Sequence, residues 1–252
     1  IDHLETWHPR YLVTPKVGMS LYGHSMYMGS IGAIKKLYQQ WPFDIIDAHY
    51  VYPDGLAALM LGNKLNVPVV ISARGTDMNL YPQLKRIAPL IKKVLRGTQH
   101  QISVSQSLAE KMISHGASSA HVTVIPNGID PSKMQQVDKT EARNMLDLPK
   151  DKQILLSVGN LIELKGHHLL IEALGKIKNA GDLDCQTFII GKGNNRAKLQ
   201  QQISSLGLDK SVHLVGEVDH AQLKHWYSAA DISFLGSSRE GWPNVVSESL
   251  AC

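Results

Sequence analysis

The sequence predicts an α/β fold made of two facing, doubly wound, Rossmann-like domains. Short β-branched or apolar runs alternate with amphipathic stretches of about a dozen residues along nearly all of the 252 residues, the pattern of βαβ units on a parallel sheet. The alternation lapses once, at "PSKMQQVDK" (131–139), a polar stretch opened by Pro after an Asn-Gly turn, and then restarts. The right-handed crossover rule puts helices on both faces of each sheet.

In the first half, the apolar run "FDIIDAHY" (43–50) reads as a strand and "DGLAALMLGNKLN" (54–66) as the helix after it. "VPVVISA" (67–73) and "HQISVS" (100–105) are strands on either side of a basic amphipathic helix, "PQLKRIAPLIKKVLRG" (82–97). A helix over 106–115 and a strand in "HVTVIPNGID" (121–130) complete this set. After a short helix in "TEARNMLDL", strands 153–161, 185–191, 211–218 and 231–237 alternate with helices 165–180, 194–206 and 220–230. A last helix starts near Asn244. The expected domains are 1–131 and 151–252, with 132–150 as linker and first helix of the second. Ligands of such sheets lie outside the carboxyl ends of the strands, so facing sheets put the binding crevice between the domains.

Composition narrows the function. Hydrophobic residues make up 43% and charged ones 19%, a globular profile. A net charge of +4 does not call for nucleic acid; it suits a phosphate-bearing ligand or an anionic membrane face. Cys185 and Cys252 are too few for a disulfide framework and lack metal-ligand spacing. There is no clustered His/Asp constellation, so no metal is expected. No apolar run reaches transmembrane length, and "IDHLETWHPRYL" has neither part of a signal peptide. A cytoplasmic setting follows as the expectation.

The C-terminal stretch "SSREGWPNVVSESLAC" (237–252) holds two carboxylates, Glu240 and Glu248, around a Gly-Trp-Pro-Asn turn. Asn244 can cap the helix that follows, and the unpaired N–H groups at its start, with the dipole, favour an anion such as a diphosphate. Glu248, about a turn inside, can accept hydrogen bonds from two vicinal ribose hydroxyls. Glu240, on the preceding loop, can face sugar hydroxyls. On spacing alone, the alternative stays open that Glu248 only complements the helix dipole and Glu240 is a solvated loop charge.

"E-G-W-P-N-V-V-S-E" resembles the E-x7-E signature of the group 1 (family 4) retaining glycosyltransferases, which have the GT-B fold. "SVGNLIELKG" (157–166), "IIGKGNNRAKLQ" and "VHLVGEVDHAQLKHWYSAADISFLGSSREG" are similar to the family's donor-side segments in the same order. "VPVVISARGTDMN" and "VSQSLAEKMISHGASSAHVTVIPNGID" resemble its N-terminal domain. The resemblance implies that Glu248 binds the donor ribose, Glu240 the transferred sugar, and Lys165 the diphosphate. Backbone amides of Gly241, Trp242, Pro243-Asn244 and Val245-Val246 would hold sugar and phosphates; Gly159 would let the backbone approach them. Gly216 and Glu217 would lie near the nucleobase. It further implies transfer from a UDP- or GDP-sugar to a hydroxyl of a glycan or lipid-linked acceptor, with retention, without a metal or other cofactor, in polysaccharide or cell-envelope glycan assembly. It also implies that the chain is an interior piece, lacking a first βα unit and ending inside the donor-side domain.

Two positions depart from the family pattern. Asn160 stands where an Arg is common, and Arg196 or Lys192 beside the Gly-x-Gly turn is the expected replacement cation. Arg74 stands where many members carry His; it either stabilises phosphate charge or clamps an anionic acceptor in catalysis, or it simply pairs with Asp77. His49 and Asp54 are expected on the acceptor side, whereas His167 and His168 read as surface residues of a helix. "GKGNNR" lacks the third glycine of a dinucleotide fingerprint. The 82–97 helix either touches anionic lipid at the inner membrane face or packs its apolar stripe on the sheet. The departures leave room for a non-catalytic nucleotide-sugar-binding partner, and the fold for a nucleotide-sugar epimerase.

Overall fold

The computed structural model describes residues 5–14, 17–181 and 183–252. The chain divides into two units, Ile1–Asn127 and Gly128–Cys252. The first residues of the expected N-terminal domain, 1–4, lie outside the described set.

In unit 1 a 3₁₀ turn at Met19–Leu21 leads into α1 (Tyr22–Gln40), which the strand-helix alternation did not predict. It packs on α2 (Asp54–Leu65), where Gly23 leaves room for the Leu56 side chain. The strands β1 (Ile46–His49), β2 (Val69–Ala73), β3 (His100–Ser103) and β4 (Val122–Val124) form a parallel sheet in sequence order. Each strand is shorter than its apolar run. Between β2 and β3 come α3 (Thr76–Asn79) and α4 (Ala88–Gly97), and α5 (Gln106–Ser114) precedes β4. Helix boundaries follow local chemistry: the Ser105 hydroxyl accepts from Leu108 N–H to start α5, and Asn66 in the left-handed region ends α2.

The basic helix expected over 82–97 begins only at Ala88. Pro89 in its first turn and a separate 3₁₀ turn at Tyr81–Gln83 divide the stretch. Its apolar stripe, Ile91, Val94 and Leu95, is buried in the unit's core, leaving Lys92, Lys93 and Arg96 exposed. Any lipid contact through this helix is therefore by charge, not by insertion.

In unit 2, α6 (Lys139–Met145) is capped by Asp138, whose side chain accepts from Glu141 N–H. There follow β5 (Gln153–Val158), α7 (His167–Asn179), β6 (Cys185–Ile190), α8 (Arg196–Ser205), β7 (Val212–Gly216), α9 (Leu223–Ala229), β8 (Ile232–Ser233) and α10 (Asn244–Ala251). The sheet is parallel with order β7-β6-β5-β8, so the chain runs outward from β5 on one side and returns on the other. Alternate β5 residues serve opposite layers. Ile154 and Leu156 join Trp226, Tyr227 and Ala142, while Leu155 packs with Ile171, Leu174 and Ile203. Helices thus cover both faces. The strand expected over 231–237 pairs for only two residues, because after Phe234 the chain turns at Gly236 to lie against Gly166.

Buried Arg143 closes unit 2 at the far end of the sheet. It donates to the carbonyls of Ala229, Lys150 and Lys152 and, at 2.7 Å, to Asp231. Asp231 also accepts from Ile154 N–H and Lys139. Burial opposes ionisation of this carboxyl, yet these donors hold its pKa below the usual range.

Candidate functional site

The reversal of strand order between β5 and β8 marks a crevice at their carboxyl ends, where open α/β sheets bind ligands. Three loops meet there. Gly159 N–H donates to Ile190 O, Gly191 N–H to Gly216 O, and Ser238 N–H to Leu164 O. The backbones approach so closely that a Cβ on Gly191 would fall 2.0 Å from the Gly159 carbonyl oxygen. One on Gly166, at φ 71°, would fall 2.0 Å from that of Gly236.

This convergence joins two predicted residues. Lys165, in the 3₁₀ turn Glu163–Lys165, lays its stem over Gly159 and reaches the loop after β8, where Nζ meets Glu240 Oε1 at 2.6 Å. The pair is about one-fifth exposed on each side. Asn160, next to Gly159 in the chain, is exposed. In the same loop, Trp242 Nε1 and Ser237 Oγ are buried without a hydrogen-bond partner.

The loop after β8 runs through Gly241 and Trp242 into α10. Pro243, not Asn244, is the N-cap; its ring-fixed φ and extended ψ lead into the helix, and Asn244 is the first helical residue. The adjoining cavity of about 140 Å³ is lined by residues that include Ile129, Asp130, His220, Asn244, Ser247 and Glu248. Glu248 is mostly buried and held from both sides: Tyr227 Oη donates to Oε2 at 3.0 Å, and His220 Nε2 lies 3.2 Å from Oε1. Burial and the neighbouring Glu248 charge push the Tyr227 phenol well above its ordinary pKa, keeping it a donor. Neither Tyr227 nor His220 was singled out from sequence, since they precede Glu248 by 21 and 28 residues and meet it only in the fold.

Other predicted residues lie on the β6–β7 side of unit 2. Lys192 Nζ pairs with Glu217 Oε2 at 2.7 Å on the surface. Arg196 Nη2 donates to Leu214 O at 3.0 Å, with Gly216 beside it. Both cations expected to compensate for Asn160 thus have partners outside the Lys165–Glu240 pair. His167 is not a surface residue: it is 1% exposed, with Nδ1 3.1 Å from Ser157 Oγ. Its Nε2 makes no well-formed hydrogen bond. Burial pushes its pKa below the ordinary value, although the nearby backbone of Gly159 and Asn160 favours the charged form.

In unit 1, His49, Arg74 and Asp77 do converge, at the carboxyl ends of β1 and β2. The Arg74–Asp77 alternative fails in its simple form. The Asp77 carboxylate accepts from the backbone N–H groups of Val51, Arg74 and Gly75, not from the guanidinium. Arg74 Nη2 lies 2.6 Å from His49 Nδ1, and Nη1 donates to Asn127 Oδ1 at 2.6 Å. Asp54, half-buried at the start of α2, has its pKa raised by burial and by Asp77. Among the described residues no cluster of His, Cys, Asp or Glu could hold a metal ion, and no helix is long and apolar enough to cross a membrane.

Comparison with known proteins agrees with this arrangement. The family model for Glycosyltransferase Family 4 matches residues 5–133, and that for Glycosyl transferases group 1 matches 138–252. TuaC of Bacillus subtilis (strain 168), named for teichuronic acid biosynthesis, is 30% identical over 211 residues, 82% of this chain and 51% of the relative. Sucrose-phosphate synthase of Thermosynechococcus elongatus superposes with a TM-score of 0.79 at 20% identity, covering 96% of this chain and 63% of that one. HepE of Anabaena, solved with UDP and glucose, gives 0.73 at 20%, covering 89% and 62%. The chain thus spans about half the length of the first curated relative, and its fold is that of two Rossmann-like units of the GT-B kind. On these matches, which together run over nearly all of its residues, the chain belongs to the family 4, group 1 glycosyltransferases.

Proposed function

We propose that this chain is the catalytic part of a retaining glycosyltransferase that moves a sugar from a UDP- or GDP-sugar to a hydroxyl of a glycan or lipid-linked acceptor. Unit 2 is the donor side. The observation that carries this reading is Glu248, its carboxylate fixed by Tyr227 and His220 at the wall of the cavity beside the start of α10. A carboxylate so held is a two-oxygen acceptor for vicinal ribose hydroxyls. A solved neighbour that carries UDP and glucose, and a relative named for teichuronic acid synthesis, support a nucleotide-sugar donor and a cell-envelope glycan product.

In this reading Lys165 and the backbone N–H groups of Gly241, Trp242, Asn244 and Val245 receive the diphosphate, and Glu240 holds hydroxyls of the transferred sugar. The acceptor oxygen bonds to the anomeric carbon on the face the diphosphate leaves, and the acceptor proton passes to the departing phosphate oxygen. The chain's cations stabilise that leaving charge. No carboxylate is needed as a nucleophile, unlike in retaining glycosidases. The protein works in the cytoplasm, with the Lys92, Lys93 and Arg96 side of α4 available to anionic headgroups at the membrane's inner face.

The test is calorimetric titration of a panel of nucleotide sugars, repeated with Glu248→Gln. One nucleotide sugar should bind with a loss of about tenfold or more in the variant, and proton NMR of the transfer product should show the donor's anomeric configuration. Equal binding by wild type and variant would overturn the site, and an inverted product would overturn retention.

A further inference from the structure

Among the described residues of its own unit, Arg74 has no carboxylate counter-ion. It follows β2 at the carboxyl edge of the sheet, where its backbone N–H and that of Gly75 donate to Asp77, as does Val51 N–H. Asp77 is fully buried and its oxygens face these amides, so the only acid close in sequence does not neutralise the guanidinium. No carboxylate among the described residues lies within ion-pair distance of Arg74.

Two neutral acceptors aim it instead. Asn127 Oδ1, just beyond β4, and His49 Nδ1, at the end of β1, each stand 2.6 Å from a guanidinium nitrogen. For Nδ1 to accept, the imidazole must be neutral with its proton on Nε2, which faces Asp47 Oδ2 at 3.3 Å. The nearest acid on this path is thus one imidazole away. Three sheet-edge elements hold the planar fork in place, and its remaining N–H groups are left for a further partner. A partly buried, uncompensated charge is costly by itself, and a pre-aimed guanidinium matches an oxyanion bidentately.

We infer that Arg74 is a specificity-determining residue that seats an oxyanion of the acceptor, so the acceptor is an acidic glycan bearing a carboxylate or phosphate. This deepens the proposed function and rests on it: there the donor diphosphate already has Lys165 and the amides of unit 2, which leaves the acceptor as the source of a second anion. His49 and Asn127 are positioning residues for Arg74.

The experiment compares two acceptors that differ only in the acidic group, a hexuronoside and the matching hexoside, in transfer assays with wild type, Arg74→Gln and Asn127→Asp. A phosphorylated hexoside forms a second pair. Wild type should favour one acidic acceptor by about 10- to 100-fold in kcat/KM. Arg74→Gln should erase that preference and leave donor KM within about twofold. Asn127→Asp keeps the side-chain shape but sets a carboxylate against Nη1, and should erase the preference too while sparing transfer to the neutral acceptor. Titration of the acceptors without donor gives the same comparison if transfer is too slow to follow. A wild type that prefers the neutral acceptor overturns the inference. So does an Arg74→Gln variant whose donor KM rises with acceptor preference unchanged, which would assign Arg74 to the leaving diphosphate. Failure to bind any nucleotide sugar would overturn the function itself, and the acceptor titrations would still report on Arg74.

Discussion

Lys165 Nζ and Glu240 Oε1 stand 2.6 Å apart, linking the turn after β5 to the loop after β8. A diphosphate entering this crevice competes with Glu240 for the ammonium. Glu240→Gln should therefore tighten binding of the bare nucleoside diphosphate by about two- to fivefold, the worth of a partly screened pair. It should lower sugar transfer by about tenfold or more, because the sugar loses a charged acceptor. Lys165→Met should weaken nucleotide binding by about 10- to 100-fold. Calorimetry on the three proteins reads both signs.

Tyr227→Phe removes one of the two groups that hold Glu248. Stability should fall by about 1 kcal/mol in urea titrations, and nucleotide affinity by about three- to tenfold as the carboxylate gains freedom. His220→Ala should cost less stability, since its ring is largely exposed.

Arg143 bridges α6, the lead-in to β5 and the segment before β8 through one buried guanidinium. Arg143→Ala leaves several carbonyls and Asp231 without this donor and should destabilise unit 2 by about 3–5 kcal/mol. Lys cannot span the same four acceptors, so Arg143→Lys should recover little. Denaturant midpoints decide this.

His167 carries a pH dependence of definite sign. Its folded pKa is depressed by burial, so below the ordinary His range near about 6.5 the unfolded chain binds the extra proton. Its contribution is fully present above that range and is lost as pH falls through the folded value. The stability of unit 2 should decline on acidification between those limits, and His167→Asn should flatten that part of the profile.

Much of this architecture was legible as pattern. The strand cores, the switch to a second set of βα units and the start of α10 follow from apolar runs and turn residues, which act locally. What sequence could not supply was pairing at a distance. Tyr227 and Arg143 have no local pattern that names their partners, and only tertiary packing turns each into a partner for a carboxylate. His167 was misjudged because a His-His pair in a polar context looks exposed, whereas its first member tucks under the Gly159 turn. The helix α1 lies outside the alternation of apolar runs, and Gly23 is the one residue it buries. Strand lengths were overestimated because apolar residues continue past the paired segment into buried loops, as at Leu161.

The three amides gathered by Asp77 fix the main chain at position 74 independently of what its side chain does. A replacement there alters charge and reach without disturbing the scaffold that presents it. Such a place can be retuned by single substitutions: an imidazole in one descendant, a guanidinium in another, each offering a different chemistry to whatever docks. Diversification of partner choice would thus proceed through one exchangeable fitting, while the acid beneath it tolerates almost no change.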